Sequence, residues 1–215
     1  PVPSPYIIGN TPAITVANLV KAQERFGYFL AEDGHPKAYN ESAQHYLERA
    51  LSDKNKKADR KTYQELMYDV AELKYNKQRY ELTLNESEVA YQKVFMEKNN
   101  LSKKDKSMGI NVGSSNRWKS KRWDQKELIK CVKELVKERK VIVLGGKLEE
   151  EFTNRIIKEV PGVVRNDPTN TIREFMAVVD VCDTVISADS LALHMAIGLK
   201  KKVVGLFFST PPWEI

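Results

Sequence analysis

The second half of the sequence alternates regularly between short apolar runs and amphipathic stretches, and this alternation limits the possible folds more than any other feature. The apolar runs, which predict strands, cover residues 108–112, 141–144, 163–165, 184–188 and 202–207. The amphipathic stretches, which predict helices, cover residues 124–138, 149–159, 170–179 and 191–199. Strands that are apolar throughout and alternate with such helices predict an α/β fold, with a parallel sheet covered on both faces.

The first hundred residues have a different pattern, which favours helices with little strand. The predicted helices cover residues 14–26, 43–51, 63–71 and 85–98. The last of these begins with Asn85 followed three residues later by Glu88, which has the form of a capping box. Only residues 80–84 alternate like a strand, and residues 33–36 indicate a loop.

A polar, lysine-rich stretch at residues 99–106 separates these two patterns. It predicts a mainly helical domain over residues 1–104 and an α/β domain over residues 105–215. The sequence begins at Pro1 with neither an initiator methionine nor a signal-peptide pattern, so we expect the chain to be a fragment.

Composition narrows the class of protein. The longest apolar runs are far shorter than the roughly 18 residues that a membrane-spanning helix requires. Cys131 and Cys182 belong to no CxxC or Cys/His cluster, which argues against a disulfide framework and fits a cytoplasmic protein. The formal net charge of +6 suits an anionic partner such as a nucleotide, a phosphorylated glycolipid or a membrane surface, although most of the lysines can equally serve to solvate loops. No nucleic-acid-binding module accompanies the charge.

Ligands of open parallel sheets bind beyond the carboxyl ends of the strands, and three of the loops at these ends carry polar signals. In the first loop, residues 111–123, Ser114 and Ser115 can donate hydrogen bonds and Lys121 can pair with phosphate oxygens. The loop has neither a GxGxxG fingerprint nor a P-loop pattern. The alternative is a basic surface loop anchored by Trp123.

The second loop follows the strand at residues 141–144 and contains Gly145, Gly146 and Glu149. Paired glycines permit close approach of a backbone, and Glu149 can accept a hydrogen bond from a ribose hydroxyl. A carboxylate in the first turn of a helix also simply favours the helix dipole, so this signal is weak alone.

The third loop runs from the strand at residues 184–188 directly into a helix, through Asp189 and Ser190. The open N–H groups of the helix N-terminus, the Ser190 hydroxyl and His194 one turn later can together bind a phosphate. Alternatively, Asp189 or Ser190 is only an N-cap and His194 is a half-buried histidine with a structural partner.

Taken together, these loops resemble those of glycosyltransferase family 9, the ADP-heptose:lipopolysaccharide heptosyltransferases. The family pattern is a strand followed by an N-P-G-A-like loop, a lysine followed by an aromatic residue, a later L-G-G, then D-S/T-G-x-x-H and a strand that ends in L-F-G-P-T. The matching positions are Asn111-Val112-Gly113-Ser114, Lys121-Arg122-Trp123, Leu144-Gly145-Gly146, Asp189-Ser190 with His194, and Leu206-Phe207 with Thr210. The resemblance covers about residues 108–215 and extends more loosely to the helical first part.

The resemblance implies a GT-B glycosyltransferase, with a Rossmann-like donor domain in the C-terminal half and a partial, mainly helical acceptor-side domain before it. It implies inverting transfer of a heptose from ADP-heptose to a lipopolysaccharide core sugar, without a metal ion or another cofactor. Its partners are then the nucleotide sugar and the acceptor, with peripheral contact at the cytoplasmic face of the inner membrane as a further expectation. The nucleotide-binding residues implied are Ser114, Ser115, Lys121, Glu149, Asp189, Ser190 and His194.

Departures from the family pattern keep alternatives open. Leu191 stands where the family usually has glycine, and Phe208-Ser209 replaces the usual Gly-Pro, so a narrower pocket is expected. The strand and Gly-Asp loop that carry the family's acceptor-activating aspartate are not found, and we expect the catalytic base upstream of Pro1. A non-catalytic nucleotide-binding protein on the same fold, or another GT-B nucleotide-sugar enzyme, is the alternative function.

Overall fold

The computed structural model of the protein describes residues 19, 21–113, 123–208 and 210–215. By their contacts these residues fall into two compact units that divide between Gln78 and Arg79, with residues 211–215 belonging to the first unit. This division differs from the boundary at residue 104 expected from composition, because the helix that begins after Asn85 packs within the second unit. The boundary between domains stays a prediction.

The first unit contains a small hairpin and a group of helices. An antiparallel pair, β1 (Tyr28–Leu30) and β2 (Pro36–Ala38), precedes α1 (Glu41–Leu51), α2 (Asp53–Ala58) and α3 (Tyr63–Val70). The predictions of helices at residues 43–51 and 63–71 are confirmed, whereas the hairpin was not predicted. Its strands are only three residues long, too short for an alternating pattern to be visible.

The first predicted helix, residues 14–26, is only partly described: residues 14–18 and 20 lie outside the described residues, and Leu19 is helical. Its described end, residues 21–26, is not helical.

The second unit is built around a five-stranded parallel sheet with the strand order β5-β4-β3-β6-β7. The strands are β3 (Met108–Asn111), β4 (Val141–Leu144), β5 (Val164–Arg165), β6 (Thr184–Ala188) and β7 (Lys202–Leu206). The helices are α4 (Glu86–Lys98), α5 (Gln125–Leu135), α6 (Glu150–Glu159), α7 (Ile172–Val181) and α8 (Leu191–Gly198). The predicted parallel sheet is therefore confirmed.

Alternate residues of β4 show how the sheet is covered on both faces. Val141 and Val143 pack in one cluster with residues of α5 and α6, and Ile142 and Leu144 pack in another with residues of α4, α7 and α8. All four side chains are fully buried. A strand buried on both sides reads as a continuous apolar run, which is why the sequence pattern was clear here.

Two predictions about the start of this unit had different outcomes. The capping box of α4 is present, with Asn85 accepting from the Glu88 N–H and Glu88 accepting from the Asn85 N–H. The strand predicted at residues 80–84 is wrong, since none of these residues lies in a strand. The segment contacts α8 instead: the Leu82 N–H donates to the Gly198 carbonyl at 2.9 Å, and Leu82 and Leu84 pack against the core.

Candidate functional site

A cleft of about 310 Å³ lies at the carboxyl ends of the strands β3 to β6. This is the edge where ligands of open parallel sheets bind, and the volume is at the lower end of the range of about 300–1,000 Å³ for small-molecule sites. The side chains and backbone that line it come from the loops after β3, β4, β5 and β6 and from the first turns of α7 and α8. The sequence-predicted residues Glu149 and Ser190 both line it.

Ser190 stands at the start of α8 but does not cap that helix with its side chain. Its hydroxyl accepts a hydrogen bond from Asn111 Nδ2 at 3.1 Å and shares another with Ser187 Oγ at 2.8 Å. Serine at an N-cap normally satisfies one of the four open N–H groups of the helix. Here the hydroxyl is engaged elsewhere, so the first turn of α8 keeps its amides and partial positive charge for another acceptor.

Glu149 ends a 3-10 turn, Lys147–Glu149, that follows β4. Its Oε2 accepts from the Gly146 N–H at 3.2 Å. The carboxyl group also lies against the backbone of Gly113, in the loop after β3. Glu149 therefore sits where the β3 and β4 loops meet, on the wall of the cleft, with its carboxylate able to accept a further hydrogen bond.

Asn166, directly after β5, is a cleft residue that the sequence analysis missed. Its side chain is buried and accepts from the Gly145 N–H at 2.8 Å while donating to the Gly145 carbonyl at 3.0 Å. The following residues, Asp167 to Asn170, also line the cleft apart from Thr169. The rule that strand-end loops bind ligands points to this Asn-Asp-Pro-Thr-Asn loop, but the strand before it is only two residues long and its signal was weak.

Asp189 pairs with His194, and His194 also contacts Tyr80, which lies outside the cleft lining. Asp189 Oδ1 lies 3.6 Å from His194 Nε2, and His194 Nδ1 lies 3.3 Å from the Tyr80 hydroxyl. Burial raises the pKa of Tyr80 above its ordinary value. The structure thus brings Glu149 and Ser190 to one cleft and places the exposed His194 against Tyr80, in the segment that precedes α4; the roles of these residues stay predictions.

Ser114, Ser115 and Lys121 lie outside the described residues, so their roles stay predictions. Their position matters because the described lining of the cleft contains two carboxylates, Glu149 and Asp167, and neither lysine nor arginine. The Thr169 hydroxyl and N–H lower the pKa of Asp167, which favours its charged form. A diphosphate therefore needs positive charge in addition to the described residues, and the sequence between Gly113 and Trp123 contains two lysines and two arginines.

One wall of the same cleft is formed by apolar side chains that are unusually exposed to solvent. Leu148, Ile172 and Leu191 line it and are 74%, 65% and 54% exposed, and Phe175 adds an aromatic ring. Exposed aliphatic side chains from a 3-10 turn and from the starts of two helices, all around one cleft, are typical of a site that buries an apolar or planar group of a ligand. Phe208 is 52% exposed and is not among the described residues that line the cleft.

The described part of the chain contains neither a candidate metal site nor a candidate membrane-spanning helix. No group of three or more histidine, cysteine, aspartate or glutamate residues there could hold a metal ion. No helix there is both long enough and apolar enough to cross a membrane.

A parallel sheet with helices on both faces and a cleft at the carboxyl ends of its strands is a Rossmann-like architecture, which fits one domain of a GT-B glycosyltransferase. Comparison with known proteins gives the same class and names the family. The chain belongs to glycosyltransferase family 9 (heptosyltransferase), whose family model matches residues 28–215.

Individual relatives are distant. The chain is 30% identical over 119 residues to lipooligosaccharide heptosyltransferase 2 of Campylobacter jejuni, which covers 51% of this chain and 37% of that protein. A glycosyl transferase family 9 crystal structure from Veillonella parvula superposes with a TM-score of 0.64 at 18% identity, over 72% of this chain and 47% of that one. The structure of Escherichia coli heptosyltransferase WaaC with ADP gives a TM-score of 0.53 at 15% identity, over 93% of this chain and 52% of that one.

The chain thus spans about half or less of the length of these relatives. The two structural matches support the GT-B fold alone.

Proposed function

We propose that this protein binds the ADP moiety of a nucleotide sugar in the cleft and serves transfer of a heptose from ADP-heptose to a lipopolysaccharide core sugar. The transfer inverts the configuration at the sugar and uses no metal ion or cofactor. The protein acts in the cytoplasm, with peripheral contact at the inner membrane where the acceptor is available. Membership of family 9 supports the class of reaction, and similarity to a lipooligosaccharide heptosyltransferase and to a heptosyltransferase with bound ADP supports the acceptor and the donor.

The observation that carries the proposal is the state of Ser190. Its hydroxyl is bound by Asn111 and Ser187, and the N-terminus of α8 opens on the cleft without the cap that serine normally provides. Amides at a helix N-terminus and the partial charge of the dipole favour a phosphate there. Leu191 and Ala192, the first two residues of this helix, both line the cleft.

The rest of the cleft suits a nucleoside. The Glu149 carboxylate accepts a hydrogen bond from a ribose hydroxyl, as acidic residues after the second strand do in dinucleotide-binding sheets. The exposed side chains of Leu148 and Ile172, with Phe175, cover the planar base. The ligand then runs from the base near α7 to the diphosphate at α8.

In glycosyl transfer the leaving ADP gains negative charge as the bond to the sugar breaks. Groups preorganised around that charge bind the transition state more tightly than the ground state and so lower the barrier. We assign this role to the amides of α8, to Ser114 and Ser115, and to Lys121. No described residue of this chain is assigned to removal of the acceptor proton.

A non-catalytic nucleotide-binding role is the second candidate, and Leu191 favours it. This side chain lines the cleft next to Ser190, at the position where the family usually has glycine, and occupies space beside the predicted diphosphate. A chain of this kind binds ADP but not a donor with a sugar attached. A different GT-B nucleotide-sugar enzyme is a third candidate, which differs in the preferred base.

Isothermal titration calorimetry with ADP, ADP-heptose and UDP-sugars separates these candidates. The proposal expects ADP and ADP-heptose to bind and UDP-sugars to bind at least tenfold more weakly, and it expects transfer to a deacylated core acceptor by the full-length protein. Binding of ADP with no transfer supports the non-catalytic candidate. Preference for a uridine nucleotide contradicts the proposed donor.

A further inference from the structure

Two asparagines, Asn111 and Asn166, stand at the ends of β3 and β5, the two strands on either side of β4. Asn111 is the last residue of β3 and Asn166 follows β5 directly. They are only 9% and 3% exposed. Buried amide side chains are costly unless they are hydrogen-bonded, and both are bonded to a neighbouring strand-end loop.

The Asn166 amide continues the pairing of the sheet beyond the end of β5. Its Oδ1 accepts from the Gly145 N–H, its Nδ2 donates to the Gly145 carbonyl, and its own N–H donates to the Val143 carbonyl at 3.3 Å. The side chain must supply a donor and an acceptor at once, which an amide does and a carboxylate does not. The loop it holds runs from Gly145 to Glu149.

The Asn111 amide connects the loop after β3 to the start of α8. Its Nδ2 donates to the Gly113 carbonyl at 2.6 Å and to Ser190 Oγ at 3.1 Å. The second bond keeps the hydroxyl turned away from the helix that Ser190 precedes, where its side chain makes no cap. Without Asn111 only the bond to Ser187 Oγ still engages the hydroxyl, which makes it easier for Ser190 to cap α8 as serine at this position normally does.

We infer that Asn111 and Asn166 are independent positioning residues for the two ends of one ligand, an inference that rests on the proposed binding of ADP in this cleft. Asn166 holds the loop that carries Glu149 and so sets the ribose end. Asn111 bonds the Ser190 hydroxyl, which hinders that hydroxyl from capping α8. The amides of the first turn of α8 then stay available for the diphosphate end.

Double-mutant cycles on ADP affinity test this pairing, since they isolate the coupling between two residues. Asn111→Leu removes the amide without adding charge and is expected to weaken ADP binding about tenfold. In the Ser190→Ala background, which has no hydroxyl to cap the helix, the same change is expected to matter less than twofold. Asn166→Leu is expected to weaken binding about tenfold alone and less than twofold in the Glu149→Ala background.

The crossed combinations provide the control for a merely structural role. Asn111→Leu in the Glu149→Ala background, and Asn166→Leu in the Ser190→Ala background, are expected to keep their full tenfold effects. If Asn166→Leu fails to fold, as judged by thermal unfolding, Asn166→Ser completes the same cycle. Tenfold losses of ADP affinity that persist in every background overturn the pairing. Single variants that bind ADP as tightly as the wild type also overturn it. Absence of ADP binding by the wild-type chain overturns the proposed function and the inference with it, whereas wild-type binding with additive cycles overturns the inference alone.

Discussion

The carboxyl group of Glu149 lies so close to Gly113 that a methyl group built on that glycine would stand 2.9 Å from Glu149 Cδ. This contact brings together the loops after β3 and β4 at the wall of the cleft. The contact leaves no room for a Cβ at position 113 unless the Glu149 carboxylate moves.

Gly113→Ala is therefore expected to displace the Glu149 carboxylate and to weaken ADP binding by about as much as Glu149→Ala does. Calorimetric titration of the two variants and of their combination measures this, and the combined variant should be no worse than either alone. Gly146→Ala is the matched control, because a Cβ there would stand 3.4 Å from Glu149 Oε2, an ordinary contact. Equal losses for both glycine variants contradict the steric explanation.

Lys121→Ala is expected to weaken ADP binding at least tenfold, about 1.4 kcal/mol. The physical reason is that the described lining of the cleft carries two carboxylates and no cationic side chain, so the diphosphate depends on charge from the loop that contains Lys121. Lys126→Ala, an exposed lysine on α5, is the control and should leave the affinity unchanged. An unchanged affinity for the Lys121 variant removes this residue from the site.

The surroundings of Asp59 are expected to make the stability of the first unit depend on pH. Its carboxylate lies 3.1 Å from His45 Nε2 and 3.4 Å from Arg49 Nε. Burial acts to raise the pKa of Asp59, but the Lys61 N–H, His45 and Arg49 outweigh it and the pKa is lowered. A lowered pKa means that the folded state prefers the charged carboxylate more strongly than the unfolded state does.

The resulting stabilisation is present above the unfolded pKa of about 3.9 and is lost as the pH falls through the folded value. We expect the free energy of unfolding to decline below about pH 4, and to decline less steeply in Asp59→Asn. Urea unfolding curves between pH 3 and pH 7 measure both. Parallel pH dependences for wild type and variant would show that Asp59 contributes nothing.

The two cysteines are expected to react at very different rates with an alkylating reagent. Cys182 is fully buried under the sheet, and this burial raises its pKa to about 12, so it is neither accessible nor ionised at pH 8. Cys131 lies partly exposed on α5. Mass spectrometry should find Cys131 labelled first and Cys182 labelled only at the rate at which the second unit opens. Prompt labelling of Cys182 in native buffer contradicts the packing of this core.

The sheet was predictable because its strands are buried on both faces and its helices are strongly amphipathic. Val141 to Leu144, for example, are all apolar, and only a strand between two helical layers fits such a short run followed by Gly145. The hairpin of the first unit and the extended segment around Leu82 were not predictable in this way. Their conformations depend on contacts with residues distant in sequence, such as the hydrogen bond from Leu82 to Gly198.

The site was predictable in part for a similar reason. Glu149 and Ser190 follow clear strands and lie in the cleft as expected, and their positions follow from the topology of a parallel sheet. Asn111 was named only as part of the N-P-G-A-like motif and Asn166 was missed, because their roles come from the groups that they bond across neighbouring loops. A strand-end asparagine has the same appearance in sequence whether its amide faces solvent or holds a second loop.

Titration of the ¹⁵N-labelled protein with ADP, followed through the backbone amide resonances, shows whether the cleft at the carboxyl ends of the strands, with the open start of α8, binds the diphosphate. We expect the largest shifts at saturation on Leu191 and Ala192 and on Gly145 and Gly146. Shifts concentrated instead at the opposite edge of the sheet, around Lys106 and Lys202, would contradict it.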